Sequence, residues 1–478
     1  MKNNFSRQAF TGVLLIIVIT ALLSCSAGLS QSNGTSNVYL PTVFANSYPT
    51  MPPIFGVQVP SLSNSKVLSS AVDSDTYWVR LNALKWSSVQ PNGPDDNPIW
   101  NTDLDKDLIR ASSNGLQVIL IVRSTPTWAQ QYSGYSCGPI KPDQLPAFAN
   151  FMSQVVNRYS VPPYNVLYYE IWNEPDVDYR IIPDPNSEYG CWGNKDDAYY
   201  GGDVYTNMLK SIYPAMKAAN PMVKVVIGGL LLDCDPTNIG AGYCPTDARA
   251  VAPRFFEGIL RDNGMNDGGN YFDIVSFHGY PQPSSGSPIQ SELNYLTWSG
   301  SGGVVQGKIT FLRDVMSSYR VDKPIIQTEA AYITQSGDTP EFEQNKADYV
   351  VWLFTRNLSQ RLWGTTWYTL NGPGWRYGGL LDSNQDPLPA YNAYKFMISE
   401  LTDMLFVNED QSVPNVTQFT FRGKNMQLQV YFSMDGNAHT ITAPVGWTAI
   451  YDLFGTPITP ITPQDIIIQH PVYVELGQ

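Results

Sequence analysis

Charged residues make up only 15% of this 478-residue chain, where about 25% is usual in soluble proteins. Disordered and coiled-coil proteins both need far more charge, so neither describes it. Basic residues are the scarcer sign. There are 29 Lys plus Arg against 42 Asp plus Glu, a net charge of −13. Such a surface repels phosphate backbones and argues against a nucleic-acid partner. Histidine is nearly missing, at three residues, and the five cysteines form no CxxC pair. A zinc knuckle is thereby excluded, and the residues imply no metal or organic cofactor. What the chain does have is aromatic side chains (12 Trp, 29 Tyr, 19 Phe) together with 36 Pro and 37 Gly. That balance describes a rigid, loop-rich, extracytoplasmic protein.

The N-terminus carries the matching address. Lys2 and Arg7 precede an apolar run over residues 12–23, and Ser24-Cys25-Ser26-Ala27 follows. A basic start, a short apolar stretch and small residues define a secretory signal. The run is shorter than the roughly twenty residues a membrane helix needs. Leu22-Leu23-Ser24-Cys25 also has the form of a lipobox, which would make Cys25 a lipid anchor; cleavage after Ala27 competes with it. The expectation is export, to the medium or the cell surface. Without Cys25, the residues Cys137, Cys191, Cys234 and Cys244 remain, an even number suited to an oxidising compartment, with three possible pairings.

Residues 1–27 thus read as the signal, and 28–53, rich in Ser, Asn, Thr and Pro, as a polar linker. From residue 54 short apolar runs alternate with amphipathic stretches. The runs are 55–59, 77–81, 118–122, 166–172, 223–227, 272–277, 324–328 and 364–370. Helical patterns fall at 103–112, 143–159, 203–219, 254–262, 307–319 and 340–358. Eight strands alternating with helices predict an α/β fold, a (β/α)8 TIM barrel over 54–400. A doubly wound open sheet would want a Gly-rich turn after its first strand, and Pro60-Ser61-Leu62-Ser63 stands there instead. Over 401–478 the period changes to two. Segments 417–421, 426–432, 439–443, 447–451 and 466–468, separated by Gly, Asp, Asn and Pro, predict a small antiparallel β-module, sandwich-like and accessory.

Two carboxylates fall where a barrel keeps its chemistry, at the C-terminal ends of strands. Glu174 closes the fourth strand in Tyr169-Glu170-Ile171-Trp172-Asn173-Glu174-Pro175, and Glu329 closes the seventh in Lys323-Pro324-Ile325-Ile326-Gln327-Thr328-Glu329. Two rim carboxylates can flank one glycosidic bond, and their separation decides between retention and inversion of the anomeric centre. Asn173 can donate its amide to a sugar hydroxyl. Glu170, four residues below Glu174, lies about 13 Å down the strand at roughly 3.3 Å per residue. It reads as a buried structural charge paired with Arg123 or Lys224. A Schiff-base lysine or a His/Asp metal cluster, which an aldolase or isomerase would need, is missing from the strand ends.

Asn173-Glu174-Pro175 on strand four with Glu329 on strand seven resembles the clan A retaining glycoside hydrolases. The wording Glu170-Ile171-Trp172-Asn173-Glu174-Pro175, Thr125-Pro126-Thr127-Trp128-Ala129 and Gly379-Leu380-Leu381-Asp382 is most similar to family 39 and neighbouring family 5. The resemblance covers about residues 54–400, and Tyr451-Asp452-Leu453-Phe454-Gly455 resembles the β-module often appended to them. It implies Glu174 as acid/base and Glu329 as nucleophile. It also implies Arg80, ending strand two, as a hydrogen-bond donor to Glu329, Tyr280 as a second donor, and His278 at the sugar site. Trp367, ending strand eight, would stack on the sugar. The negative charge of Glu329 would help keep Glu174 protonated. On strand three the chain departs from several relatives, with Arg123-Ser124 where they place a His. Loops after strands share the catalytic face, so Cys137–Cys191 would tie two walls of the cleft and Cys234–Cys244 would close a small loop. Residues 176–203, with Trp192, would then form a wall of the substrate groove.

The resulting expectation is a retaining β-glycosidase acting on a polysaccharide or its oligosaccharides, with no protein partner implied. A non-catalytic carbohydrate-binding barrel and a transglycosylase using the same site are the competing readings.

Overall fold

The computed structural model describes residues 51–237, 252–281, 287–295, 297–461 and 464–477. The export segment, Cys25, the linker to residue 50, and Cys244 with its expected bridge to Cys234 lie outside the described residues. Among those described, no helix is long and apolar enough to cross a membrane.

Strand–helix alternation builds the first architecture. It runs β1 (Phe55–Val59), α1 (Ser65–Asp73), β2 (Trp78–Lys85), α2 (Thr102–Ser113), β3 (Gln117–Arg123), α3 (Leu145–Tyr159), β4 (Tyr168–Asn173) and α4 (Gly202–Ala219). It continues with β5 (Lys224–Gly229), α5 (Arg254–Arg261), β6 (Val275–Gly279), α6 (Val304–Ser318), β7 (Ile325–Ala330), α7 (Pro340–Ser359), β8 (Gly364–Trp367) and α8 (Pro389–Leu401). The strands are buried along nearly their whole length, as parallel strands sheathed by helices must be. All pair in parallel, in the order β5-β4-β3-β2-β1-β8-β7-β6. Isolated bridges Val226–Ile274 and Leu230–Phe277 join the two outer strands, so the sheet is a nearly closed (β/α)8 barrel. Helix starts are set locally. Asn64 and Asn101 accept the first free amides of α1 and α2, and Thr339 followed by Pro340 does the same for α7.

Inside the barrel, Trp78, Ile119, Val226, Ile274 and Ile326 form an apolar plug near the strand starts. Above it the lining turns polar, with Arg80, Glu170, Ser276 and Thr328 all buried. That change of character along the axis puts the chemistry at the other end.

The second architecture follows α8. Strands β9 (Leu405–Asp410), β10 (Val416–Arg422), β11 (Met426–Ser433), β13 (Trp447–Tyr451) and β15 (Val472–Gly477) form an antiparallel sheet in the order β13-β15-β11-β10-β9. β12 (His439–Thr442) and β14 (Asp465–Ile468) form a separate two-stranded ribbon. The module packs on the helical outside of the barrel: Trp352 of α7 meets Phe419 and Phe432, and Phe396 of α8 meets Tyr451 and Tyr473. Two elements escape periodicity for opposite reasons. β9 is mostly exposed, with Phe406 packed on Phe419 and Phe421, while β15 lies between β13 and β11 and is buried on both sides over Val472, Tyr473 and Val474.

Candidate active site

Backbone irregularity, more than strand alternation, aims the two acids. At the end of β4, Trp172 takes a left-handed φ of 72° and Glu174 one of 46°. Trp172 therefore packs outward, on Phe148 of α3 and on Trp192, with its indole N–H donating to the Cys137 carbonyl at 2.8 Å. Asn173 and Glu174 both turn to the mouth. The Glu174 amide is fixed by the Gly229 carbonyl at 3.0 Å.

On β7, Gln327 accepts from Asn357 of α7 and Thr328 points inward to Glu170. Simple alternation would send Glu329 back toward the helices. The register of β7 shifts against both neighbours at this point, a bulge that swings the Glu329 carboxylate into the barrel.

Arg80 is the hub between them. Its Nε donates to Glu170 Oε2 at 2.6 Å and its Nη2 to Asn173 Oδ1 at 2.7 Å, while Nη1 donates to Glu329 Oε1 and Gln58 Oε1. Burial works against its charge, but Glu170 and Glu329 outweigh that and raise its pKa. Glu170 is further satisfied by the Gly229 amide at 2.8 Å, Ser276 and Thr328. It is a structural charge, and its partner is Arg80, not Arg123 or Lys224. Nor does Arg80 end its strand: β2 runs on to Lys85 through a bulge, which leaves Arg80 deep enough to serve both glutamates.

His278 stands between the acids. Its Nδ1 is 2.8 Å from Glu174 Oε1 and 3.4 Å from Glu329 Oε2. Nε2 faces Arg80 at 3.5 Å. A guanidinium only donates, so Nδ1 carries the imidazole proton. Burial pulls the His278 pKa down to about 4, which keeps the ring neutral near pH 7. Tyr280, just past β6, donates to Glu329 Oε2. Burial first, then Glu329 itself, push its phenol well above the usual range, so it stays a donor.

Glu174 has a pKa raised to about 7. The main cause is burial, opposed by Arg80 and Lys308 and aided by Glu170, so the proton is held by desolvation more than by the charge of Glu329.

The structure thus brings together Arg80, Asn173, Glu174, His278, Tyr280 and Glu329. It does not bring Trp367. That side chain is fully buried, its N–H donating to the Gly378 carbonyl and its ring beside Tyr349 of α7. It shares strand parity with Thr365, which bonds Asn357 on the same helix, so both face outward. Its neighbour Tyr368 faces the acids instead: burial and then Glu329 lift its phenol to about 12. Beyond it, Trp375 is 47% exposed and meets Tyr280 edge-on at 5.7 Å. Trp192 is core too, at 2% exposure. The loops after β3 and β4 are joined as expected by Cys137–Cys191, with Cα atoms 5.3 Å apart, and by Tyr132 stacked on Tyr179.

Sequence reasoning missed three supports. Lys308 of α6 holds the His278 carbonyl at 2.8 Å and the Leu231 carbonyl at 2.6 Å. No motif marks it. Gly229 gives His278 room, and its signal was the Gly228-Gly229 pair ending β5. Trp375 stood in a Gly/Pro-rich turn, an aromatic where a loop has no core to fill.

One donor atom from each of Glu174, His278 and Glu329 lies within 4.8 Å of the others, a set able to hold a metal ion. Arg80 argues against that use, because a fixed positive charge already bonds Glu329 there. The arrangement suits proton transfer and attack by a carboxylate.

Residues 45–371 match the family model described as cellulase (glycosyl hydrolase family 5). No curated protein sequence matches the chain at a significant level. Among solved structures, a family 39 glycoside hydrolase from the gut symbiont Bacteroides cellulosilyticus WH2 is similar at TM-score 0.67 and 16% identity, covering 90% of this chain and 81% of that one. A conserved exported protein from Bacteroides fragilis gives 0.61 at 11%, over 89% and 98% of the two chains. A family 30 endoxylanase from Clostridium papyrosolvens C71 gives 0.56 at 11%, over 90% and 97%. These likenesses are of fold.

Proposed function

The chain belongs to the cellulase family, glycosyl hydrolase family 5, and we propose that it cleaves β-glycosidic bonds of a polysaccharide or its oligosaccharides with retention, Glu174 as acid/base and Glu329 as nucleophile. The observation that carries this reading is the approach of the two carboxylates, an oxygen of each within 4.8 Å of the other. Retaining pairs stand about 5–5.5 Å apart, whereas inverting pairs need about 6.5–9.5 Å to admit a water.

In the first step Glu329 attacks the anomeric carbon while Glu174 gives its proton to the departing glycosidic oxygen. The C–O bond breaks and a glycosyl ester forms on Glu329. Arg80 and Tyr280 favour the attacking carboxylate by hydrogen bonds to its two oxygens. A raised pKa near 7 supports Glu174 as the proton donor. In the second step Glu174, now ionised, takes a proton from water as that water attacks the anomeric carbon; the bond from that carbon to Glu329 breaks, freeing its carboxylate, and the second inversion restores the configuration.

Asn173 has its carbonyl engaged by Arg80, which turns its amide hydrogens to the ligand. Tyr368 and Trp375 supply the aromatic surface for the sugar, in place of Trp367. Export, with or without lipid at Cys25, fits a chain whose loops are closed by a disulfide.

The test is a reducing-end assay over a panel of β-linked polysaccharides, with the product anomer followed by proton NMR, for the wild type and Glu329→Gln. Wild-type release with the β anomer first, lost in the variant, is the expected result. The α anomer appearing first, or equal release by both proteins, overturns it.

A further inference from the structure

One cluster on the catalytic face has no part in the mechanism above. Lys85 and Arg123 are the last residues of β2 and β3 and stand opposite each other in register. Both converge on a single oxygen, Oε1 of Glu188, at 3.1 and 2.5 Å. Glu188 comes from the loop after β4 and is 59% exposed, while the Arg123 side chain is 4% exposed.

We propose that Lys85 and Arg123 form a subsite for a carboxylate carried by the glycan, so that the preferred substrate contains uronic acid. This deepens the glycosidase reading and rests on it. Three observations point this way. A chain of net charge −13 places two cations side by side at the mouth of its own barrel. The Arg123 guanidinium is held in place, its Nε donating to Asn82 at 2.6 Å. Its buried Nη2 is already directed at a carboxylate, with Glu188 Oε1 2.5 Å away, and Glu188 holds the place that a substrate carboxylate would take. Being an exposed side chain in a surface ion pair, it is also easily displaced.

The cluster adjoins the reaction centre. β2 and β3 end on the same face as the adjacent β4, whose end carries Glu174, and the charges of Glu329, Glu188 and Glu174 all act on the Tyr368 phenol. A sugar placed against Tyr368 can reach Lys85 and Arg123 with an acidic substituent. A substrate carboxylate then exchanges with that of Glu188, and the buried guanidinium is never left without a counter-charge, the outcome that would be costly.

The experiment is calorimetric titration of the full chain with oligosaccharides from glucuronoxylan and from a β-linked glucuronan. Each is used native and after reduction of its carboxylates to alcohols, at low and high salt. The expected result is native binding about tenfold tighter than reduced, with an advantage that shrinks in salt. Lys85→Met lowers the native-to-reduced ratio several-fold, and Glu188→Gln, by removing the competitor, raises it. A preference for the glucuronoxylan alone places the uronate on a branch, and for the glucuronan in the main chain. Equal affinity for native and reduced sugars, no binding of either, or a ratio unmoved by both substitutions overturns the subsite. Binding needs no turnover, so these outcomes are independent of the Glu329→Gln assay that decides the hydrolase reading.

Discussion

Gly229 and His278 approach so closely that a Cβ built on the glycine would lie 2.0 Å from Nε2 of the imidazole. The ring whose other nitrogen meets Glu174 is thus seated against bare backbone. Gly229→Ala must push His278 off that seat or shift β5 from β6. The expected outcome is a fall of at least about tenfold in kcat/KM with a stability loss of about 1–3 kcal/mol. Kinetics beside denaturant unfolding checks both.

The raised pKa of Glu174 sets a pH limb. The group is protonated below about 7, so kcat/KM falls as pH rises through that value, and Glu174→Gln removes the limb along with most of the activity. Stability follows the same proton. With a folded pKa near 7 against an ordinary 4.5, the protonated carboxyl favours the folded state below pH 4.5, and that contribution is lost as pH rises through 7. Glu174→Gln gains stability relative to wild type between those limits, by up to about 3 kcal/mol. Equal pH dependence of wild-type and variant unfolding would remove the assignment.

Leaving-group chemistry separates the roles of the two acids. Glu174→Ala should lose about 10²–10⁴-fold on natural glycosides, which need a proton at the departing oxygen. It should lose far less in glycosyl-enzyme formation on a dinitrophenyl glycoside, whose leaving group departs as an anion. Glu329→Ala should fail equally on both. Burst kinetics on the two substrates reads the difference.

Two tryptophans near the end of β8 should respond in opposite ways. Trp367→Ala empties a packed site and costs about 3–5 kcal/mol of stability. Trp375→Ala leaves unfolding nearly unchanged and raises KM for oligosaccharides several-fold, because an exposed ring is removed from the sugar's path. Michaelis parameters and unfolding curves on both variants decide it.

Opening the Cys137–Cys191 bridge by Cys191→Ala frees a crosslink across 54 residues and should cost about 2–4 kcal/mol. The same change loosens the Cys137 carbonyl that Trp172 bonds. The expected signature is a drop in kcat larger than that produced by an exposed-loop substitution such as Tyr189→Ala.

The barrel was legible because a parallel strand sheathed by helices has to be a short apolar run, and eight such runs from Phe55–Val59 onward could be counted. Glu174 and Glu329 were legible because each ends such a run. Helix α1 and the end of strand β2 were less so: β2 carries its pattern past a bulge to Lys85, and α1 buries only Val67, Ser70 and Ala71.

Alternation along a strand is a local rule, and the site is where the backbone departs from it. The left-handed turns at Trp172 and Glu174 and the bulge at Glu329 aim the acids, while regular alternation buries Trp367 and turns Tyr368 toward the acids. The sequence by itself determined the order of elements and the two carboxylates, and it left the Cys137–Cys191 tie as one of three possible pairings that the structure resolves. Only the tertiary structure decided that Arg80 serves Glu170 and Glu329 together, and that desolvation is the chief cause of the raised Glu174 pKa. Both depend on which side chains several strands bring to one point, and on how much water they shut out, quantities that no spacing along the chain contains.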